Sequence, residues 1–206
     1  RYRAIEFLKP EYQGKYKNAE HIAQTLAGIY RVHMVKRLES SFYAFKKSLA
    51  TLLRITNDMI KMFEEDKVII APDLNVKELQ SKGMELDQII EYAVNKGYSE
   101  QDIVFKADAF KPNFVDMLYH DKNILEHLNL EWQKENDDPK FDKFHENLKN
   151  NFFDKDINPT GKLVVFSESV DTLNYLYDRL TNDVKRTDVL MVTSNNRQKS
   201  ALMIKE

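Results

Sequence analysis

Residues 31–65 read RVHMVKRLESSFYAFKKSLATLLRITNDMIKMFEE. Apolar side chains stand at Val35, Leu38, Phe42, Phe45, Leu49, Leu52, Met59 and Phe63, with Thr56 in the remaining slot. The steps alternate between three and four residues, which is the period of a coiled-coil-like helical seam. The spacing therefore predicts one long helix over 31–65, about 50 Å from end to end at 1.5 Å per residue. A helix of that length needs a partner along it. The partner is either an antiparallel neighbour in the same chain or a second copy, meeting it through the seam that begins at Val35 and ends at Phe63.

The same stretch is basic in its first half. Arg31, Lys36, Arg37, Lys46 and Lys47 precede Arg54 and Lys61, against Glu39, Asp58, Glu64 and Glu65. This is either a solvated face or a track for DNA phosphates. Residues 131–156 carry the opposite excess, of acid over base. The formal net charge of −2 over 206 residues is therefore a cancellation between segregated patches. That balance excludes a wholly basic nucleic-acid coat and an acidic tail protein.

Outside the seam, residues 1–17 mix bases with tyrosines, interrupted by Pro10 and Gly14, and read as a docked connector. Asn18 suits an N-cap for a short helix to 27, with a break or kink at Gly28. Residues 68–71 read as extended, because Ala71 precedes Pro72. A helix is expected over 84–96 with Gly97 as its stop. A second long helix, the natural partner of the first, opens after Pro112 and carries Phe114, Met117, Leu118, Leu125, Leu128 and Trp132. After a turn at 136–139, Phe141, Phe144, Leu148 and Phe152 mark a third.

With five Gly and five Pro, the chain has few turn residues, which favours helices over a sandwich or barrel. With no Cys it has no disulfide scaffold, thiolate metal site or cysteine nucleophile. Apolar runs reach only about four residues, too short for a transmembrane span or signal core. A cytoplasmic setting without a membrane partner is expected. Arg1 at the first position leads to the expectation of a fragment.

The pattern changes after the Asn158-Pro159-Thr160-Gly161 turn. Residues 162–166 form a continuous apolar run, as in a parallel strand buried on both faces. Ser167, Glu168 and Ser169 follow, and a helix carries Val170, Leu173, Leu176, Tyr177 and Leu180. Residues 188–192 read as a second strand, with Thr193, Ser194, Asn195 and Asn196 capping a last helix. This βαβα order points to a parallel sheet. The fold class is thus mostly α with a partial α/β unit: a long-helix bundle followed by the βαβα start of a parallel sheet. The divisions are a linker over 1–17, a helical domain over 18–157, and the opening of an α/β domain over 158–206.

No glycine-rich phosphate loop is present. His120 and His127 sit two turns apart on one expected helix face, which alone defines no metal site. No catalytic, cofactor-binding or metal residue is assigned. The polar groups past the strand ends, Ser167, Glu168, Ser169, Thr193 and Ser194, precede helix N-termini, where hydroxyls and amides cap the helix or bind phosphate oxygens. Arg197 adds charge there. With Lys36, Arg37, Lys46 and Lys47 they form the set of candidate nucleic-acid contacts.

Residues 162–180, KLVVFSESVDTLNYLYDRL, resemble the entry to the C-terminal RecA-like lobe of superfamily 2 helicases and translocases, in the Swi/Snf-type branch. Residues 193–198, TSNNRQ, are similar to the turn after that lobe's next strand, with Thr193-Ser194 where the family has a Gly. Residues 33–41, HMVKRLESS, running on to Ala44 and Phe45, resemble bacterial helicase-related proteins of this branch, in which a long helical insertion separates the lobes. The resemblance makes 18–157 that helical insertion and 158–206 a truncated RecA-like lobe, and implies a motor that binds ATP and Mg and walks along duplex DNA. Its phosphate loop and arginine finger would lie in the remaining helicase lobes of the parent chain. This chain alone would be inactive, contributing lobe linkage and backbone contact with no cofactor of its own. The rival reading is a non-enzymatic helical interaction or oligomerisation module.

Overall fold

A computed structural model describes residues 2–14, 19–71, 74–194, 196 and 197. The chain is mostly helical. In order come α1 (Tyr2–Glu6), α2 (Pro10–Gln13), α3 (Ala19–Ser40), α4 (Phe42–Glu64), β1 (Val68–Ile69), α5 (Val76–Ser81), α6 (Leu86–Asn95), α7 (Glu100–Ile103), β2 (Val104–Phe105), a 3₁₀ turn (Ala107–Ala109), α8 (Asn113–Lys134), α9 (Pro139–Asn150), α10 (Val170–Asp178) and a π turn (Arg179–Asp183). They divide into two compact units. The first comprises 1–32 and 49–132, and the second 33–48 and 133–206.

The first unit is built on a small sheet. β1 and β2 pair antiparallel, with Val68 opposite Phe105 and Ile69 opposite Val104. Its apolar run 68–71 is buried throughout. An isolated antiparallel bridge joins Leu8 to Phe110, so the segment expected as a docked connector sits in the core. Around this frame Phe63, Phe110 and Phe114 meet edge-to-face or stacked, with Phe7 stacked on Phe114 at 4.3 Å. α6 turns Leu86, Ile89, Ile90 and Ala93 inward. Its end follows the expected logic: Gly97 adopts φ +91, and the Tyr98 amide reaches back to the Ala93 carbonyl. α4 ends the same way without glycine. Asp66 takes φ +53 while the Lys67 amide bonds to the Met62 carbonyl, and the Asp66 carboxylate accepts from the Ala107 amide at 2.7 Å.

The second unit gathers the end of α3, the start of α4, α9, α10 and the π turn. Among the described residues its buried apolar side chains are Ala44, Phe141, Leu148 and Leu180. Its buried polar residues are Ser41, Asp138, Ser169 and Thr172. Asp138 caps α9, its carboxylate accepting from the Phe141 amide at 3.0 Å. The Arg179 guanidinium lies over the Phe141 ring at 4.1 Å. Tyr175 stacks on Tyr43 and accepts from Arg179 Nη1 at 3.0 Å; burial, then the nearby Asp138 carboxylate, push its phenol up to about 12.

Three expectations are corrected. The single helix over 31–65 is two helices meeting at Ser41, whose hydroxyl accepts the Ala44 amide at 3.0 Å and so caps a new helix. Gly28 is no break, since α3 runs through it. The strands over 162–166 and 188–192 form no ladder, and the one sheet among the described residues is the antiparallel pair in the first unit. An apolar run becomes a strand only when a neighbour takes its backbone groups. Among the described residues Leu163, Val164, Val165 and Phe166 make no backbone hydrogen bond. Val164 is 71% exposed and Phe166 91%. The run is fixed only at its start, where the Asn158 amide group donates to the carbonyls of Phe152 and Lys162. No helix is long and apolar enough to cross a membrane among the described residues.

Candidate functional site

Two of the sequence's candidate clusters meet in the second unit. Arg37 lies in the last turn of α3 with Lys36 just before it, and Lys46 and Lys47 lie in the first turns of α4. Ser167, Glu168 and Ser169 lead into α10, with Ser169 as its N-cap, accepting the Thr172 amide at 3.2 Å. Asp171 occupies the first turn of α10, where a negative charge suits the helix dipole.

Arg37 is the hub. Its Nε donates to Ser48 Oγ at 2.9 Å, Nη1 to Ser169 Oγ at 2.6 Å, and Nη2 to the Ala44 carbonyl at 3.0 Å and to Asp171 Oδ2. Its side chain is 12% exposed. Lys47 Nζ donates to the other oxygen of Asp171 at 2.6 Å. Lys36 Nζ reaches Glu168 Oε2 at 3.1 Å on the exposed rim. Burial opposes the charged form of Asp171, but hydrogen bonds from Lys47 and Arg37 outweigh it and hold the carboxyl below its usual range. The hydrogen bond to Asp171 raises Lys47 in turn.

Beside this ion cluster runs a chain of hydroxyls. Thr172 Oγ1 lies 2.7 Å from Ser40 Oγ and 3.0 Å from Ser41 Oγ. Residues 36–41 are thus docked onto residues 168–172 by ions on one side and hydroxyls on the other. Sequence reading missed Ser40, Ser41, Ser48, Asp171 and Thr172. The available signal was the Ser-Ser pair interrupting a helix and an acid one turn into α10.

The remaining candidates lie apart. Lys46 donates to the Glu135 carbonyl. The Thr193 amide and hydroxyl both donate to Asn196 Oδ1, at 2.6 and 3.2 Å, and Asn196 Nδ2 donates to the Met191 carbonyl. Thr193 and the exposed Arg197 make no hydrogen bond or ion pair with Ser167, Glu168 or Ser169 among the described residues. Ser194 is exposed beside them. Asn195 and the expected last helix beyond Arg197 lie outside the described residues. His120 and His127 are exposed on α8. Among the described residues no group of three acids or histidines is placed to hold a metal ion. A cleft of about 490 Å³ in the first unit, lined by Glu11, Tyr12, Gln101, Phe105, Lys106 and Asp108, contains none of the candidate residues.

The cluster sets two exposed ammonium groups beside a largely covered guanidinium. That is a donor set suited to carboxylate or phosphate oxygens. No family model, curated protein or solved structure matches the chain.

Proposed function

We propose that this chain is part of an ATP-dependent DNA helicase or translocase of superfamily 2, in the bacterial Swi/Snf-like branch. In this reading it carries the helical insertion between the lobes and the opening of the C-terminal RecA-like lobe. It contacts the duplex backbone and leaves ATP and Mg to the rest of a cytoplasmic parent protein.

The observation that supports the reading is a reciprocity. Two of the three stretches that carry the resemblance, 33–41 and 162–180, dock on each other through Arg37, Asp171 and the hydroxyls of Ser40, Ser41 and Thr172. The extended run 162–166 is uncovered on both faces, as a parallel strand is before its neighbours and helices are in place.

Fluorescence anisotropy with a short duplex DNA at low and moderate salt tests the contact. The expected result is binding with a clear salt slope, and no binding at low salt removes DNA contact. The coding sequence on either side is expected to hold a P-loop and acidic box upstream and an arginine-rich motif downstream. If both are missing, the motor reading fails.

A second reading, a helical interaction module, has its own observation. In the first unit Ile29 and Val32 of α3 are 59% and 57% exposed, and Ile124 and Leu128, one turn apart on α8, are 46% and 39% exposed. Sedimentation over a concentration series decides it, since a strict monomer argues against self-pairing.

A further inference from the structure

We propose that Glu168 and Asp171 are internal stand-ins for phosphate, an autoinhibitory contact covering a polyanion position formed by Lys36, Arg37 and Lys47. The proposal deepens the nucleic-acid reading above and rests on it for the identity of the polyanion, the phosphodiester backbone of DNA. The shared chemistry is a chain of phosphate groups, whether of DNA or of free polyphosphate.

Three cations surround two carboxylates. The rim is open: the side chains of Lys36 and Lys47 are 57% and 54% exposed, and that of Glu168 is 82% exposed. An ion pair so exposed is held weakly, so Glu168 yields its place on Lys36 to a competing anion at small cost. Asp171 is the inner gate, 24% exposed and bonded to both Lys47 and Arg37. Displacing it does not disorder the arginine. Ser48, Ser169 and the Ala44 carbonyl hold the guanidinium through Nε, Nη1 and Nη2 without Asp171. A guanidinium oriented in advance and flanked by two ammonium groups fits successive phosphates, with the Nη2 N–H that Asp171 vacates on one and an exposed lysine charge on the next. The carboxylates add like-charge repulsion against that ligand, which an isosteric amide would not.

The test uses the full chain and its variants Glu168→Gln and Glu168→Gln with Asp171→Asn. Binding of tripolyphosphate is followed by calorimetry, and binding of short duplex DNA by anisotropy, over a range of salt. The double variant is expected to bind tripolyphosphate about tenfold more tightly than the parent chain at low salt. Its salt slope for DNA should steepen by about one to two, for as many added phosphate contacts. Glu168→Gln alone, a change at an exposed side chain that leaves folding intact, is expected to give part of the gain. Adding Lys36→Gln and Lys47→Gln should abolish it.

Unchanged or weaker tripolyphosphate binding in the single and double variants overturns the proposal, as does a gain that survives loss of the two lysines. A gain for tripolyphosphate without one for duplex DNA upholds the covered site and removes nucleic acid as its ligand. DNA binding by the parent chain with no gain in either variant leaves the nucleic-acid reading standing and removes the gate.

Discussion

In the first unit Leu8, Val68 and Ile89 are wholly buried among aliphatic and aromatic neighbours. In the second, among the described residues, the buried polar side chains Ser41, Asp138, Ser169 and Thr172 share the interior with four buried apolar residues. One unit is held by removal of apolar surface from water, which has no direction and tolerates small shifts. The other is held by a directional joint in which a single guanidinium makes four hydrogen bonds. The contrast teaches where sensitivity should lie. The first unit should respond to lost volume, and the second to lost charge, lost hydroxyls, salt and pH.

The largest effect should come from the apolar side. Phe63→Ala removes the ring that meets Phe110 and Phe114, and should destabilise the first unit by about 3–5 kcal/mol. Urea unfolding checks the size. Residue-resolved hydrogen exchange should show the loss across 59–118, and equal loss at 170–180 would break the comparison.

Next is the hub. Arg37→Ala takes one partner each from Asp171, Ser169 and Ser48 and should cost the second unit about 2–3 kcal/mol. Arg37→Lys should recover only part, because an ammonium cannot reproduce the fork. A full rescue by lysine would mean that the joint is charge without geometry. Smaller again is Thr172→Val, of nearly the same volume but without the hydroxyl shared by Ser40 and Ser41, at about 1–2 kcal/mol.

The smallest and sharpest effect is in acid. Asp171 has a folded pKa below its ordinary 3.8, so its contribution is present above that value and lost as pH falls through the lower folded one. Asp58 in the first unit goes the other way. Burial raises it against the pull of Arg54 and Lys61, so its penalty is full at neutral pH and relieved as pH falls through the raised value toward 3.8. Acid below 3.8 should therefore loosen exchange at 170–173, whereas milder acid should leave that stretch unchanged and the amides around Asp58 as protected or better. Loosening in the reverse order would sink the assignment of the two carboxyls.

Most of the helical frame was legible in the sequence because it depends on local chemistry. Asn113–Lys134 and Pro139–Asn150 follow from apolar spacing, from Pro112 at the start of the first and from the turn at 136–139 before the second. The stop at Gly97 follows from its φ. The candidate site was legible only in halves. Lys36 and Arg37 read as a basic face and Ser167 to Ser169 as caps, and nothing in either stretch says that the other, about 130 residues away, is its partner. Asp171 looked like any first-turn acid. The seam hid the Ser40-Ser41 break, because periodicity counts apolar slots and does not see a hydroxyl that competes for the backbone. The run at 162–166 satisfied every local rule for a strand, and what it lacked was a neighbour, which local rules do not supply.

The Arg37–Asp171 contact also sets an order of events as the chain folds. Those residues stand 134 apart in sequence, whereas the pairing of Ile69 with Val104 closes a much shorter loop. Loop-closure entropy and contact order place the short closure first. On a ribosome the first unit's sheet can form once residue 105 has emerged, while residues 33–48 wait exposed until α10 arrives. The basic stretch that ends up clasped by Asp171 therefore spends the middle of synthesis uncovered, and condensation of the first unit, by tying down residues 49–132, shortens the search that finally closes the joint.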